Sequence, residues 1–175
     1  MATENKTKIV IALIGPKGAG KTHTGQALEN ECGIKFLNVE KMGLENIPKS
    51  QLSGNDLIIE GFQLEEVAID RILSLENAVS FENTGAHEYF YVVLERLRSK
   101  YKVLLVNVST PLETCYDRIK KRDTKAHIAV SDELLKSINE KAARVSLNWD
   151  LVIDNSKLVS NSDLKKMFSK LFGNK

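Results

Sequence analysis

Gly15-Pro16-Lys17-Gly18-Ala19-Gly20-Lys21-Thr22 decides the fold: it lies between the apolar run Ile9 to Ile14 and a stretch of helical period. The octet fits the GxxxxGK[ST] pattern in full, in strand, loop and helix context. Gly15, Gly18 and Gly20 let the backbone curl until its N–H groups point at phosphate oxygens, and the helix N-terminus that follows adds a favourable dipole. Pro16, Lys17 and Ala19 complete the loop, Lys21 is placed to reach the β- and γ-phosphates, and the Thr22 hydroxyl is placed to ligate magnesium. The ligands these residues predict are ATP and Mg2+. Gly25, a poor helix former, predicts close packing of the next helix on a sheet.

Outward from the loop, strand-like runs recur at Lys8 to Ile14, Lys35 to Asn38, Ala78 to Phe81, Lys102 to Val108 and Leu151 to Ile153, separated by segments of helical period. This alternation predicts an α/β protein with a five-stranded parallel sheet covered by helices in three layers. One helix is expected over His87 to Tyr101, with Phe90, Val93, Leu94, Leu97 and Tyr101 on its apolar stripe. Thr110 as N-cap, Pro111 at the first helical position and Glu113 beyond predict a second. A third carries Leu164, Met167, Phe168, Leu171 and Phe172 behind Ser160 and Asp163, and should close the fold on the sheet. The stretch from Asn38 to Asp56, with Gly43, Pro48 and Gly54, reads as an irregular excursion where an acceptor site could sit.

A chain of 175 residues suits one domain over 1–175. A net charge of +2, with both signs interspersed, argues against a nucleic-acid surface, and Ile9 to Ile14 is too short for a signal-peptide core or a membrane span. The expectation is a cytoplasmic protein with neither nucleic acid nor membrane as partner. Cys32 and Cys115 form no CxxC pair, have no histidine at metal-ligand spacing, and read as small buried hydrophobes.

The chain resembles the small P-loop kinases, the superfamily of shikimate kinase, gluconate kinase and the nucleoside monophosphate kinases. The stretches that carry the resemblance run in order: GPKGAGKT at 15–22, FLNVE at 36–40, AVSFENTGA at 78–86, VLLVNVSTPLETCYDRIKKRD at 103–123 and DLVIDNS at 150–156. Shikimate kinase is the nearest of these families, because a helix over Gln63 to Leu75 leads into AVSFENTGA. The family's acidic pair at the second strand's end is here Asn38 and Glu40, so the resemblance leaves Glu40 to orient or deprotonate an acceptor hydroxyl. The family's glycine triplet becomes Asn83, Thr84 and Gly85, and its arginine after a phenylalanine becomes Gln63 after Phe62.

For the acid that holds magnesium's water shell, two positions compete. Glu82 follows the strand run at Ala78 to Phe81; Glu60 follows Leu57 to Ile59 in a stretch similar to the AspGlyPhe of adenylate kinases. Glu82 is preferred. Arg118 and Arg122, four apart, share a helix face. The superfamily resemblance lays Arg118 against the adenine and puts Arg122 on phosphates, followed by a short lid at about 123–130 in which Lys125 and His127 are candidate contacts. It also assigns Arg144 to acceptor or phosphate, and Asp154, Asn155 and Ser156 to the loop bordering the adenine.

The acceptor-binding region is expected at about 38–77. Between Gly43 and Ala78 the basic residues are Lys49 and Arg71 against seven acids, which favours a neutral, polyol-like or cationic acceptor over an anionic one. The reading is an ATP-dependent phosphotransferase, a small-molecule kinase in which Lys21 and Arg122 stabilise the migrating group, Thr22 and Glu82 hold magnesium, and Glu40 orients the acceptor. Two alternatives stay open: a nucleotide-binding regulatory NTPase with no acceptor, and a nucleoside monophosphate kinase.

Overall fold

The computed structural model describes residues 7–46, 51–122 and 130–173. In chain order the elements are β1 (Ile9–Ile14), α1 (Lys21–Cys32), β2 (Lys35–Leu37), α2 (Val39–Asn46), α3 (Gly54–Leu75), β3 (Ala78–Asn83), α4 (Tyr89–Lys100), β4 (Lys102–Ser109), α5 (Leu112–Lys121), α6 (Asp132–Ala143), β5 (Leu151–Asp154) and α7 (Asn161–Gly173). The five strands form one sheet in the order β2-β3-β1-β4-β5, every pair parallel. This is the P-loop NTPase fold, as expected.

Burial on both faces explains why the strands read as apolar runs instead of alternating with polar residues. Along β1, Val10, Ala12 and Ile14 point to a core shared with Phe62, Ile69, Phe90 and Leu94 of α3 and α4. Ile11 and Leu13 point to a second core with Ala27 and Leu28 of α1 and Leu164 and Phe168 of α7. Gly25 lies on the face of α1 that meets β2, and a Cβ there would overlap the Phe36 ring. Because the chain crosses over to opposite sides of β1, the crevice at its carboxyl end is a topological switch point, where open α/β sheets bind ligands.

Several expectations about elements are corrected. The excursion after β2 is largely helical: Asn38 starts α2, its Oδ1 accepting the Lys41 N–H at 2.8 Å. The apolar run Leu57 to Ile59 belongs to α3, which begins at Gly54 instead of Gln63. Its stripe continues through Phe62, Glu65, Ile69 and Leu73, and three apolar residues in a row cannot distinguish strand from helix. Thr110 does not cap α5: its hydroxyl donates to the Ala19 carbonyl at 3.0 Å, and the helix starts one residue later behind Pro111. Both cysteines are free thiols, Cys115 buried and Cys32 half-buried. Among the described residues no helix is long and apolar enough to cross a membrane.

Candidate active site

The loop between β1 and α1 is fastened from outside. The Ala19 carbonyl accepts from Thr110 Oγ1 at 3.0 Å, from Arg118 at 3.3 Å and from Asn155 Nδ2 at 2.6 Å. A trans peptide holds its C=O and N–H on opposite sides. Pinning the Ala19 oxygen outward therefore turns the Gly20 N–H inward. Gly18 and Gly20 take φ of +86° and +100°, the left-handed region that disfavours side chains. On the other flank Asn139 clamps the Lys17 peptide: the Lys17 N–H donates to its Oδ1 at 2.8 Å, and its Nδ2 donates to the Lys17 carbonyl at 3.1 Å. The Ala19 N–H bonds Pro16, which itself has no N–H. Gly18, Gly20, Lys21 and Thr22 are left with N–H groups that take no backbone partner among the described residues.

Lys21 is 7 % exposed, and its ammonium donates to the carbonyls of Gly15 and Pro16, each at 2.8 Å, so one of its three donors remains. Burial lowers its pKa to about 8, against the opposing pull of Glu82. Parallel pairing sets Leu13 beside Glu82 and Ile14 beside Asn83, which brings the carboxylate next to the start of α1. Thr22 Oγ1 donates to Glu82 Oε2 at 2.8 Å. Burial raises the Glu82 pKa, while Lys21 and the Thr22 hydroxyl pull the other way. Its second oxygen, Oε1, is buried without a partner among the described residues. A hydroxyl and a carboxylate with an unsatisfied oxygen suit a hard, oxygen-seeking ion such as Mg2+. Among the described residues no cluster of three or more His, Cys, Asp or Glu could hold a metal alone.

A cavity of about 640 Å³ runs from the loop past Glu82 to α2 and α6, and Lys17, Lys21, Thr22, Glu40, Arg118 and Arg122 border it. Glu40, in the first turn of α2, pairs with Lys17 Nζ at 3.3 Å. Arg118 also donates to the carbonyls of Asn155 at 2.7 Å and Ser156 at 3.4 Å, so its edge grips the β5–α7 loop. Asn155 is 1 % exposed, and its side chain is engaged at both ends, by Ala19 and by the Val159 N–H at 2.9 Å. Asn155 thus meets the loop from behind. Glu60 lies on α3, not at the end of a strand, and borders a second, smaller cavity. Arg144 is exposed just beyond α6 and does not border either cavity. Lys125, His127 and most of the expected lid fall outside the described residues.

Sequence reasoning missed Asn139, Thr110 as an anchor, Lys141 as the basic residue that α6 turns to the cavity, and Glu65. Asn139 left a readable trace. It interrupts the stripe Leu135, Ile138 and Ala142 with a polar group, and a polar residue on an apolar face calls for a buried partner.

A family model described as "ATPase family associated with various cellular activities (AAA)" matches residues 11–155. No curated protein sequence matches the chain. Among solved structures, it is similar to a sugar kinase from Janibacter sp. HTCC2649, with a TM-score of 0.67 and 13% identity over 95% of each chain. It is also similar to shikimate kinase from Acinetobacter baumannii in complex with shikimate, with a TM-score of 0.62, 18% identity and coverage of 97% of this chain and 96% of that one. A gluconokinase from Sinorhizobium meliloti 1021 aligns with a TM-score of 0.59 and 14% identity, over 97% of this chain and 94% of that one. At such identities the likeness is one of fold.

Proposed function

The chain belongs to the ATPase family associated with various cellular activities (AAA); we propose that it is an ATP-dependent kinase of a small molecule. On this reading it works as one kinase-like domain over 1–175, with its acceptor region at about 38–77 and a short lid at about 123–130. The observation that carries the proposal is one cavity bordered by Lys21, by the hydrogen-bonded pair Thr22 and Glu82, and by a further carboxylate, Glu40, a candidate base for an acceptor hydroxyl.

The inward N–H groups and Lys21 hold the β- and γ-phosphates of ATP, and Arg118 borders the base. Thr22 and Glu82 would hold Mg2+, which supplies charge neutralisation at the phosphate oxygens. An acceptor hydroxyl oxygen forms a bond to the γ-phosphorus as the bond from that phosphorus to the bridging oxygen breaks. The electron pair leaves with ADP, and the hydroxyl proton passes to Glu40. Lys21 and Arg122 stabilise the charge on the migrating group.

The test is ADP release with ATP and magnesium, alone and against polyols, amino alcohols, shikimate and nucleoside monophosphates. Acceptor-dependent ADP that disappears in Lys21→Ala is expected. A regulatory NTPase is the second reading, favoured by the Lys17–Glu40 ion pair, which ties the candidate base to the loop itself. It predicts slow ADP release that no acceptor changes. A nucleoside monophosphate kinase is disfavoured by the sequence, in which the stretch between Gly43 and Ala78 carries Lys49 and Arg71 against seven acids.

A further inference from the structure

Between α2 and α3 lies that smaller cavity, of about 240 Å³. It is continuous with the phosphate end, because Val39, Ile58, Phe62 and Asn83 border both. Its volume falls just under the ~300 Å³ at the low end of ordinary ligand pockets, which points to a small ligand. The walls are mostly hydrocarbon, from Val39 and Met42 on α2 and Leu57, Ile58, Phe62 and Leu64 on α3.

Set into that wall is Glu65, 1 % exposed. Asn83 hydrogen-bonds its carboxyl, but Oε1 has no partner among the described residues. Burial pushes its pKa up to about 8, and Glu82 on β3 adds to the rise. Among the described residues the other titratable group bordering the cavity is Glu60 on α3. Gln63, where the kinase resemblance leads one to expect an arginine, is exposed. A buried oxygen without a partner is costly, and it is tolerated where a ligand completes it.

We infer that this cavity binds a small alcohol with a hydrocarbon body and an ammonium group, the ammonium seated against Glu65 and the hydroxyl directed toward Glu40 and the phosphate cradle. That this ligand is the phosphoryl acceptor rests on the kinase reading above; the chemistry of the site does not. A polyol would bury hydroxyl groups against hydrocarbon without partners. An anion would meet the carboxyl groups of Glu60 and Glu65. A neutral diol fills the space but leaves the ionised Glu65 less well satisfied than a charged donor does, and seating an ammonium there releases the carboxyl proton that burial otherwise holds.

The probes are aminohexanol, hexanediol and hydroxyhexanoate, which share one body and differ in charge. Titration calorimetry is run on the full chain with magnesium and a non-hydrolysable ATP analogue, at a pH above about 8, where Glu65 has lost its proton. Aminohexanol is expected to bind about tenfold or more tightly than hexanediol, the scale of a charge-assisted hydrogen bond, and hydroxyhexanoate not to bind. Glu65→Gln should bring aminohexanol down to the diol's affinity. Met42→Trp, which fills the cavity and leaves the carboxyl in place, should weaken both alcohols. Equal binding of the wild-type chain to amine and diol, or an amine preference that survives Glu65→Gln, overturns the inference. The ADP assay separates the two claims. If the ranking holds but no acceptor yields ADP, the cation site stands and the kinase reading falls; if ADP follows the diol or the acid as readily as the amine, the kinase reading stands and the inference falls.

Discussion

The Ala19 carbonyl collects three donors from side chains 91, 99 and 136 residues away, and this explains which site residues could be read from the chain. Lys21 and Thr22 were legible because their roles follow from a local motif whose geometry the backbone imposes within one turn. Thr110 was misread for the complementary reason: beside a proline it resembles a helix cap, and the carbonyl that takes its hydroxyl is invisible at that distance. Glu65 was legible as an acid but not as a buried one, since burial depends on what α2 and α3 enclose. Its raised pKa makes a prediction with a definite sign. Between its ordinary value of 4.5 and about 8 the folded chain keeps a proton that the unfolded chain has lost. The stability this contributes is complete below the lower value and gone above the upper one, falling by about 1.4 kcal/mol per pH unit between them. Denaturant unfolding from pH 5 to 8 should show that slope in the wild-type chain minus Glu65→Gln, and parallel profiles would refute it.

At the scale of elements, one glycine decides how closely the helix after the loop meets the sheet. In α1, Gly25 has no side chain so that the Phe36 ring can lie against the backbone. Gly25→Ala gains up to about 1 kcal/mol of helix propensity but meets that ring, and overpacking costs about 1–3 kcal/mol. We expect net destabilisation, reversed in sign when Phe36→Ala is also present; a double-mutant cycle measures the coupling, and additivity would sink the explanation. The strands could be recognised from their β-branched runs because both faces of the sheet are covered. The segment between β2 and α3 could not, because its glycines and a proline suggest loop while Asn38 and an apolar stripe build helix.

At the scale of the whole molecule, the strand order places β1 between β3 and β4, so the motif, the Glu82 carboxylate and the Thr110 anchor meet at the carboxyl ends of the three central strands. Alternation of strand and helix predicted a parallel sheet, but which strands flank β1 depends on crossovers that no local pattern encodes. Asn139 extends this convergence to α6. Asn139→Ala leaves the Lys17 N–H and carbonyl unpaired, and a buried unsatisfied group costs about 1–3 kcal/mol. The variant should lose about 2 kcal/mol of stability and bind ATP more weakly, as thermal unfolding and nucleotide titration would record, although it removes no group expected to touch phosphate. An unchanged ATP affinity would make the clamp irrelevant to the loop. The same long-range fastening bears on biosynthesis. A nascent chain carries the complete octet once residue 22 is made, yet Asn139 and Asn155, which hold the octet in shape, are translated more than a hundred residues later. During translation, competence to bind nucleotide would therefore arise late and all at once, and a ribosome-bound fragment stopped before β5 would have the signature of the site without the site.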